Sequence, residues 1–291
     1  MTCFNRRGTT LSALARLAEQ CGLGSDKLRV VLTDDGSSDG TADAIRREFP
    51  QTTIVAGDGN LYWVGGMRAA WTAAGLADFY LWLNDDVDLR ADAVGALLKV
   101  YDEQNDSAAI VVGATCDPVS RKTNTGGLWR KGWYRCEVCE PIDEPVACDS
   151  LDGNIVLVPR AAESRLGMIS GAFTHYFGDA DYGLRARKAG IPILLTPGHL
   201  GTCRPNSRKN SAFDHGLSFS QRWRHMVGPK GFRPPRQWWA LVRAHAPRPK
   251  LFFWAAPYAL FVIEHLLGGR VRLRRNVSRP ATRAQQQSSH T

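Results

Sequence analysis

The sequence predicts a mixed α/β fold, in which a mostly parallel sheet is flanked by helices and followed by a basic helical appendage. Two observations support this fold class. Apolar segments with strand character alternate with helix-like segments along residues 28–198, and this alternation is typical of βαβ units. From Arg204 onward the alternation stops, and tryptophan, phenylalanine and arginine dominate.

The elements follow in chain order. Segments rich in apolar and β-branched residues and bounded by turn residues predict strands; they are LRVVLT (28–33), TTIVAG (52–57), FYLWLN (79–84), AAIVVGAT (108–115), NIVLVP (154–159) and IPILLTPG (191–198). Apolar residues at helical spacing predict helices; these cover 41–49, with Thr41 as a possible cap, 65–77, which starts at two glycines, 91–103 and 180–190. Residues 117–150 predict a loop and hairpin region.

Charge divides the chain into regions. The net charge of the 291 residues is +9, but 17 Lys and Arg residues stand against two acidic ones from Arg204 onward. We therefore predict a domain over 1–203, a helical aromatic and basic appendage over 204–270, and a disordered basic tail over 271–291. A basic appendage indicates an anionic partner, such as a membrane face or a phosphorylated substrate. No nucleic-acid-binding motif accompanies it, so nucleic acid is not expected.

The longest apolar segment of the appendage covers residues 251–267 and contains Pro257, Glu264 and His265. Its 17 residues are marginal for a membrane span, and the charges favour an interfacial helix. The alternative is a helix packed on the main domain. No apolar signal segment follows the start MTCFNRRG, so we expect a cytoplasmic protein, peripheral on the inner face of the plasma membrane if the appendage contacts it.

The cysteines indicate reduced thiols. There are seven, an odd number, and they are scattered along the chain, which is typical of a cytosolic protein. Cys136 and Cys139 have metal-like spacing. Without a second such pair, they are weak evidence for zinc.

Three acidic clusters lie where a sheet of this kind places its chemistry, beyond the carboxyl ends of strands. They are Asp34 and Asp35, then Asp85, Asp86 and Asp88 after Asn84, and finally Asp179 and Asp181. Each cluster alone has a structural explanation, as a turn, a solvated loop or the acidic start of a helix. Together they would repel one another unless a cation held them.

A divalent cation resolves this repulsion. Mg²⁺ or Mn²⁺ typically joins one or two carboxylates to the phosphates of a substrate. The residues therefore predict metal-assisted chemistry on a diphosphate, with one carboxylate left as a base. Gly65 and Gly66 at the start of a helix would let backbone N–H groups approach a phosphate, or they are close-packing glycines.

The order of motifs resembles the family 2 glycosyltransferases, which have the GT-A fold, over residues 1–203. The motifs are TCFNRRGTT, TDDGSSDGT, GDGNLYWVGGMRAAW, LNDDVDL and FGDADYGLRARKAG. LNDDVDL is similar to the DxD-like element of rhamnosyltransferase-type members. The resemblance implies a nucleotide-sugar donor, a divalent cation and an acceptor hydroxyl.

The resemblance also implies roles for individual residues. Asp179 is the expected catalytic base, and Asp86 the expected metal ligand, with Asp85 and Asp88 as further candidates. The expected acceptor-side residues are Asp181, Arg185 and Trp63, although Asp181 and Arg185 could instead brace their loop. The expected nucleotide-binding residues are Thr2, Phe4, Asn5, Asp34, Asp35, Gly66 and Arg68.

Three departures from the family pattern stand out. The apolar strand that normally precedes the first motif is absent, so we expect a late start or a shortened first strand. Gly178 replaces the usual acidic residue before the base. A late histidine often adds a metal ligand; His199 is nearby, but Cys203 aligns closer to that position.

The sequence thus predicts an inverting, metal-dependent glycosyltransferase. Its acceptor would be a glycan or a polyprenyl-diphosphate-linked molecule in cell-envelope polysaccharide synthesis. Two alternatives stay open. One is a nucleotidyltransferase on a similar fold, for which FNRRGTT is a poor phosphate loop. The other is a catalytically inactive relative that binds glycan or acts as a scaffold.

Overall fold

The computed structural model describes residues 1–23, 28–205 and 209–267, and the backbone of 277–278. The helices in this part of the chain are α1 Arg7–Ala18, α2 Thr41–Glu48, α3 Tyr62–Ala74, α4 Ala93–Asp102, α5 Arg160–Leu166, α6 Gly178–Lys188, α7 Phe219–Val227, α8 Pro235–His245 and α9 Lys250–Leu266. The strands are β1 Thr2–Cys3, β2 Val31–Asp34, β3 Thr53–Ala56, β4 Phe79–Leu83, β5 Asp88–Leu89, β6 Ile110–Cys116, β7 Thr123–Thr125, β8 Gly127–Arg130, β9 Cys136–Val138, β10 Val146–Ala147, β11 Ser150–Leu151, β12 Ile155–Pro159, β13 Ile193–Thr202 and β14 Val277–Ser278.

The amino-terminal strands form a small parallel sheet in the order β1-β2-β3. Thr2 pairs with Thr33, and Val31 pairs with Thr53. Helices α1 and α2 connect these strands, as parallel pairing requires. In the described part of the chain, no backbone pairing joins this sheet to β4. An apolar cavity of about 510 Å³ lies between β2 and β4.

The larger sheet has the order β10-β13-β6-β12-β4, with β5 and β7 attached. Strand β12 is antiparallel to both of its neighbours, β4 and β6, whereas β6 and β13 are parallel. The mixed α/β class is confirmed, but this sheet is less parallel than the sequence predicts. The reason is that β7–β11 connect β6 to β12 as hairpins without a crossover helix, so β12 is free to run in the opposite direction.

Two local predictions at helix starts were wrong. Thr41 is the first residue of α2, and its hydroxyl donates to Asp39, so it is not the cap; Gly40, with φ +78°, takes that position. Helix α3 begins at Tyr62, three residues before Gly65. Gly65 and Gly66 are therefore the fourth and fifth residues of the helix and do not form its start.

An aromatic cluster forms the core between the larger sheet and its helices. Trp82 of β4 is 4.9 Å from the ring of Tyr182 in α6 and 5.7 Å from that of Trp71 in α3. All three side chains are buried. The apolar residues of FYLWLN thus hold β4 in a packed core up to the strand end that precedes Asn84.

The appendage packs on this domain. Trp238 of α8 is 2% exposed and joins the same core, with ring contacts to Trp133, Tyr134 and Phe177. Helices α7 and α9 form a smaller cluster around Met226 and Phe261. No helix in the described part of the chain is long and apolar enough to cross a bilayer. The predicted tail 271–291 lies outside the described residues, except that the backbone of β14 pairs with β9.

Replacement of Trp238 should separate core packing from surface contact. Trp238→Ala should lower the free energy of unfolding by about 3–5 kcal/mol, because it removes a buried indole that joins α8 to the domain. Trp239→Ala is the matched control; that side chain is 39% exposed, so its loss should cost less than about 1 kcal/mol. Urea unfolding of both variants measures the difference. Equal losses would contradict the packing of α8 on the core.

Candidate functional site

The three acidic clusters meet at the ends of β1, β2 and β4 and at the starts of α3 and α6. Side-chain contacts connect them. Arg6, just after β1, reaches Asp85 and Asp86 after β4. Trp63 in α3 reaches Asn84 at the end of β4, and its ring lies against Gly153 beside Asp179. These contacts define one candidate site.

Asp34 and Asp35 are buried and shape the loops around the site. Asp34 Oδ1 accepts from the Ser37 backbone N–H at 3.0 Å. Asp35 accepts from the backbone N–H groups of Gly59, Leu61 and Tyr62 at 2.9–3.2 Å. Asp35 thus fixes the start of α3. Nucleotide binding by either carboxylate stays a prediction.

Gly66 is a close-packing residue. A Cβ atom there would lie 2.1 Å from Thr2 Oγ1, so glycine allows α3 to approach β1. Gly65 N already donates to Leu61 O. Because the first turns of α3 have their donors engaged with Asp35, Leu61 O and Thr174 O, this helix start has few free N–H groups for a phosphate. Of the two explanations that the sequence leaves open, close packing fits.

The other predicted nucleotide-binding residues lie in different surroundings. Phe4 is 42% exposed and offers an open aromatic face. Asn5 has φ +50° and accepts from Ser38 N at 2.8 Å, which ties β1 to the turn after β2. Arg68 donates to Ile169 O, so its guanidinium supports the loop before α6.

Asp85 and Asp86 are held together by one arginine. Arg6 Nη1 lies 3.2 Å from Asp85 Oδ1 and 2.9 Å from Asp86 Oδ2. Asp85 is buried and also accepts from Thr10 Oγ1 at 3.2 Å. Burial raises the pKa of Asp85 to about 6, although the Arg6 charge opposes that rise. Asp86 is the more exposed of the two.

The other residues considered as metal ligands are Asp88, His199 and Cys203, and each has a different partner. Asp88 is exposed and pairs with Arg16 at 2.7 Å, away from Asp86. His199 Nε2 is 2.7 Å from Thr123 Oγ1, which in turn donates to Glu140. Cys203 Sγ, by contrast, is 3.8 Å from Asp86 Oδ1. Cys203 therefore occupies the position beside Asp86, and His199 does not.

A cation at Asp86 would need further ligands from a substrate. Among residues 1–23, 28–205 and 209–267, no three His, Cys, Asp or Glu side chains form a group that could hold a metal. Asp86 offers one partly exposed carboxylate, and a single carboxylate with substrate phosphates is a usual arrangement for Mg²⁺. Cys136 and Cys139 do not supply a zinc site in this part of the chain; Cys139 Sγ instead lies 3.5 Å from Cys148 Sγ.

Asn84 links the acidic end of β4, through Trp63, to the surroundings of Asp179. Its Oδ1 accepts from Trp63 Nε1 at 2.7 Å, and its Nδ2 donates to Asn154 Oδ1 at 2.5 Å. A Cβ at Gly153 would lie 2.7 Å from the Trp63 ring and 3.3 Å from Asp179 Cβ. Trp63 therefore lies between the β4 end and Asp179, and its role on the acceptor side stays a prediction.

Asp179 lies in the first turn of α6, where backbone N–H groups face it. Its oxygens accept from Ala180 N at 2.7 Å and Gly153 N at 3.3 Å. Burial nevertheless raises the pKa of Asp179. Burial and the Asp179 charge together raise the pKa of Asp152 to about 8. Because two negative charges side by side in a buried place repel each other, one of the two carboxyls keeps its proton at a higher pH than an isolated carboxyl would.

Asp181 and Arg185 brace the loop, which is one of the two roles that the sequence leaves open. Asp181 accepts from Arg185 Nε at 2.7 Å and from His245 Nε2 at 2.8 Å. Burial alone would raise the pKa of Asp181, but these hydrogen bonds hold it below its usual value. Arg185 also donates to the backbone carbonyls of Leu166 and Met168. His245 belongs to α8, so the brace also anchors the appendage.

Three residues of the site were missed as participants. Asp152 directly follows β11, a strand of only two residues that no apolar run in the sequence marks, so the strand-end pattern does not reveal it. Arg6 is part of the first motif, but its partners lie 79 and 80 residues away. His175 carries a buried Nδ1 without a hydrogen-bond partner in the described chain. Burial, with the Lys230 and Arg6 charges, lowers the pKa of His175 to about 4.

Known proteins share this fold. The mannosyltransferase PcManGT from Pyrobaculum calidifontis, solved in complex with GDP-Man and Mn²⁺, aligns with a TM-score of 0.51 at 15% identity, over 92% of this chain and 85% of that one. GalNAc-T7, solved with UDP, GalNAc and Mn²⁺, aligns with a TM-score of 0.50 at 13% identity, over 81% of this chain and 51% of that one. At these identities the likeness shows the fold.

A curated relative is closer in sequence. The N-acetylglucosaminyl-diphospho-decaprenol L-rhamnosyltransferase of Mycobacterium tuberculosis, in strains CDC 1551 / Oshkosh and ATCC 25618 / H37Rv, is 26% identical over 220 residues. The match covers 63% of this chain and 69% of the relative.

The fold and the site together define a nucleotide-sugar-dependent glycosyltransferase with the GT-A fold. The particular family follows from a family model described as "Glycosyl transferase family 2", which matches residues 1–153. Since that match covers more than half of the chain, the protein belongs to glycosyl transferase family 2.

Removal of Arg6 should destabilise the protein in a pH-dependent way. Arg6→Ala leaves the buried Asp85 carboxylate without its cation, so above pH 7 we expect a loss of about 1 kcal/mol, a value reduced by the exposure of Arg6. At pH 5, below the raised pKa of Asp85, the carboxyl is mostly neutral and the loss should largely vanish. In the variant, stability should therefore fall more steeply than in the wild type as pH rises from 5 to 8.

Urea unfolding at pH 5 and pH 8 measures this effect. Arg7→Ala is the matched control, because Arg7 is the exposed neighbour and should show the same small change at both pH values. A loss in Arg6→Ala that is independent of pH would contradict the pairing of Arg6 with Asp85.

Proposed function

We propose that the protein transfers a sugar from a nucleoside-diphosphate sugar to a hydroxyl group of a polyprenyl-diphosphate-linked glycan, with inversion at the anomeric carbon. The observation that carries the proposal is that Asp179 lies beside Gly153 and Trp63, and that Trp63 in turn donates to Asn84 at the end of β4. This chain of contacts supports a base near a diphosphate-binding strand end, as direct displacement on a nucleotide sugar needs.

Asp179 is the proposed base. It takes the proton of the acceptor hydroxyl while the hydroxyl oxygen bonds to the anomeric carbon, and the bond from that carbon to the nucleoside diphosphate breaks. A single displacement, with attack opposite the leaving group, inverts the anomeric centre. Backbone N–H groups of Gly153 and Ala180 orient the carboxylate. The raised pKa of Asp179 makes it a stronger base than an ordinary carboxylate.

Asp86 is the proposed protein ligand of Mg²⁺ or Mn²⁺. The bound cation would offset the negative charge that develops on the departing diphosphate. Arg6 now bonds to one oxygen of Asp86, so Arg6 must release that oxygen or share it when the donor binds. Asp85, buried behind the pair, holds Arg6 and Thr10 in place and is a supporting residue.

The acceptor class is supported by the curated relative, whose name specifies an N-acetylglucosaminyl-diphospho-decaprenol acceptor and an L-rhamnosyl group. Such acceptors serve cell-envelope polysaccharide synthesis. An enzyme that acts on a lipid-linked acceptor must reach the membrane surface, and the proposed site of the reaction is the cytoplasmic face of that membrane.

Helix α9 offers the surface for that contact. Its outer face carries a continuous apolar stripe at helical spacing, made of Phe252, Ala255, Ala259, Val262, Ile263 and Leu266. The acidic residue of this helix, Glu264, points inward and lies 3.5 Å from Arg222. Helix α8, which packs against α9, carries the exposed cations Arg236 and Arg243. An exposed apolar face on a basic appendage suits an anionic bilayer surface.

The base is tested by Asp179→Asn. This variant should lose about 10²–10⁴-fold in transfer rate, because it cannot accept the proton, and should bind the nucleoside diphosphate as the wild type does. Sugar transfer is measured with a lipid-diphosphate-linked acceptor, and binding by calorimetry.

Asp78→Asn is the control; this exposed carboxylate lies at the opposite end of β4 and should leave both measurements unchanged. Full turnover in Asp179→Asn would refute the base, and a wild type without any transfer would favour a scaffold.

The membrane surface is tested with charges on the stripe. The double variant Phe252→Glu, Ile263→Glu should lose at least about tenfold in partitioning to vesicles that contain phosphatidylglycerol, because two side chains no longer enter the interface. The matched control is Leu76→Glu, Val119→Glu, which changes two side chains that are 84% and 88% exposed on the domain. Co-sedimentation measures binding, and equal binding by both variants would contradict the docking of α9.

A further inference from the structure

A lysine of the appendage lies at the mouth of the donor site. Lys230 Nζ is 5.3 Å from the centre of the Tyr62 ring and 5.5 Å from the centre of the Phe4 ring. Phe4 follows β1, and Tyr62 is the first residue of α3. The appendage was predicted to face the acceptor or the membrane, but this residue reaches the side where the nucleotide is expected.

The ammonium group of Lys230 is free to meet an anion. In the described chain its contacts are the faces of the two rings, and no ion pair involves it. The nearby carboxylates are already engaged. Asp35 accepts three backbone N–H groups, and Asp85 and Asp86 share Arg6.

The site needs such a cation, because helix α3 supplies little positive charge. The N–H groups of Leu61 and Tyr62 donate to Asp35, and Val64 N donates to Thr174 O. A diphosphate at this position would therefore meet side-chain cations rather than a free helix start. Arg6 and Lys230 both lower the pKa of His175, so both charges act on that buried imidazole.

The position of Lys230 is fixed by several hydrogen bonds. It stands in the turn 228–231, in which Gly231 N donates to Gly228 O at 2.7 Å. Thr174 Oγ1 donates to Pro229 O at 3.0 Å, and Thr174 O accepts from Val64 N of α3. Gln237 of α8 also bonds to Thr174. Thr174, in the loop before α6, thus ties the turn of Lys230 to the start of α3.

We propose that Lys230 binds the diphosphate of the donor, so that the appendage completes the donor site. This inference rests on the proposed function. When the donor enters, the ammonium moves from the ring faces to a phosphate oxygen, and Phe4 and Tyr62 remain as the walls that guide it. Lys230 is then a binding residue for the leaving group, supplied from outside the region 1–203.

The test compares ligands with and without phosphates. Binding of UDP, GDP, CDP and dTDP, and of the matching nucleosides, is measured by calorimetry with Mn²⁺ present. Lys230→Ala should weaken binding of the preferred diphosphate about tenfold, since a hydrogen bond to a charged group is lost, and should leave nucleoside binding unchanged. The difference from the wild type should shrink in high salt. Arg236→Ala, an exposed cation of the same appendage, should bind both ligands normally.

The outcomes are distinguishable. If the wild type binds no nucleoside diphosphate, the proposed function fails. If the wild type binds one and Lys230→Ala binds it equally well, only the role of Lys230 fails. If Lys230→Ala weakens nucleoside and diphosphate to the same extent, the lysine merely supports the aromatic walls, and the proposal is overturned. Lys230→Arg should restore most of the diphosphate binding.

Discussion

The contact on which the site depends is the bridge from Arg6 to Asp85 and Asp86. In the described part of the chain, no backbone pairing connects the small parallel sheet to β4. Side chains therefore set how the small sheet, where we propose that the nucleotide binds, meets the part of the domain that carries Asp179. Arg6 spans that division, and Thr10 of α1 reaches Asp85 from the same side. Two carboxylates at one strand end repel each other unless a cation lies between them. The Arg6 guanidinium supplies that positive charge, and by doing so it also joins the small sheet to the end of β4.

Near Asp179, the hydrogen bonds of Asn84 likewise join separate elements of the fold. Asn84 links Trp63 to Asn154, and Trp63 separates the β4 end from Asp179. Asp152 adds a second carboxyl whose pKa is raised to about 8. Because the Asp179 charge contributes to that rise, the protonation of Asp152 is linked to that of the proposed base. The brace of Asp181, Arg185 and His245 then fixes α6 and the appendage to each other.

Local chemistry explains why the sequence predicted some of this and missed the rest. The strand FYLWLN and the acidic residues after it are evident from composition alone, because a buried apolar strand has to end at a polar surface. The direction of β12 is not evident, since it depends on the hairpins before it. Gly65 and Gly66 look like a phosphate loop, but Thr2 and Leu61 occupy the space beside them. Asp88 and Asp86 are two residues apart, yet β5 turns Asp88 toward Arg16. Lys230 and Arg6 acquire their roles from contacts between distant segments, which a single sequence does not show.

We propose that the protein and the nucleotide together, and neither alone, form the metal site. A thermal-shift measurement of the wild type in four conditions tests it most directly: buffer, Mn²⁺, a nucleoside diphosphate, and both. With Arg6 holding Asp86 and one partly exposed carboxylate available, Mn²⁺ alone should give no shift, and the two ligands together should raise the melting temperature by more than the sum of their separate shifts. A full shift with Mn²⁺ alone, or no shift with any nucleoside diphosphate and Mn²⁺, would contradict the account.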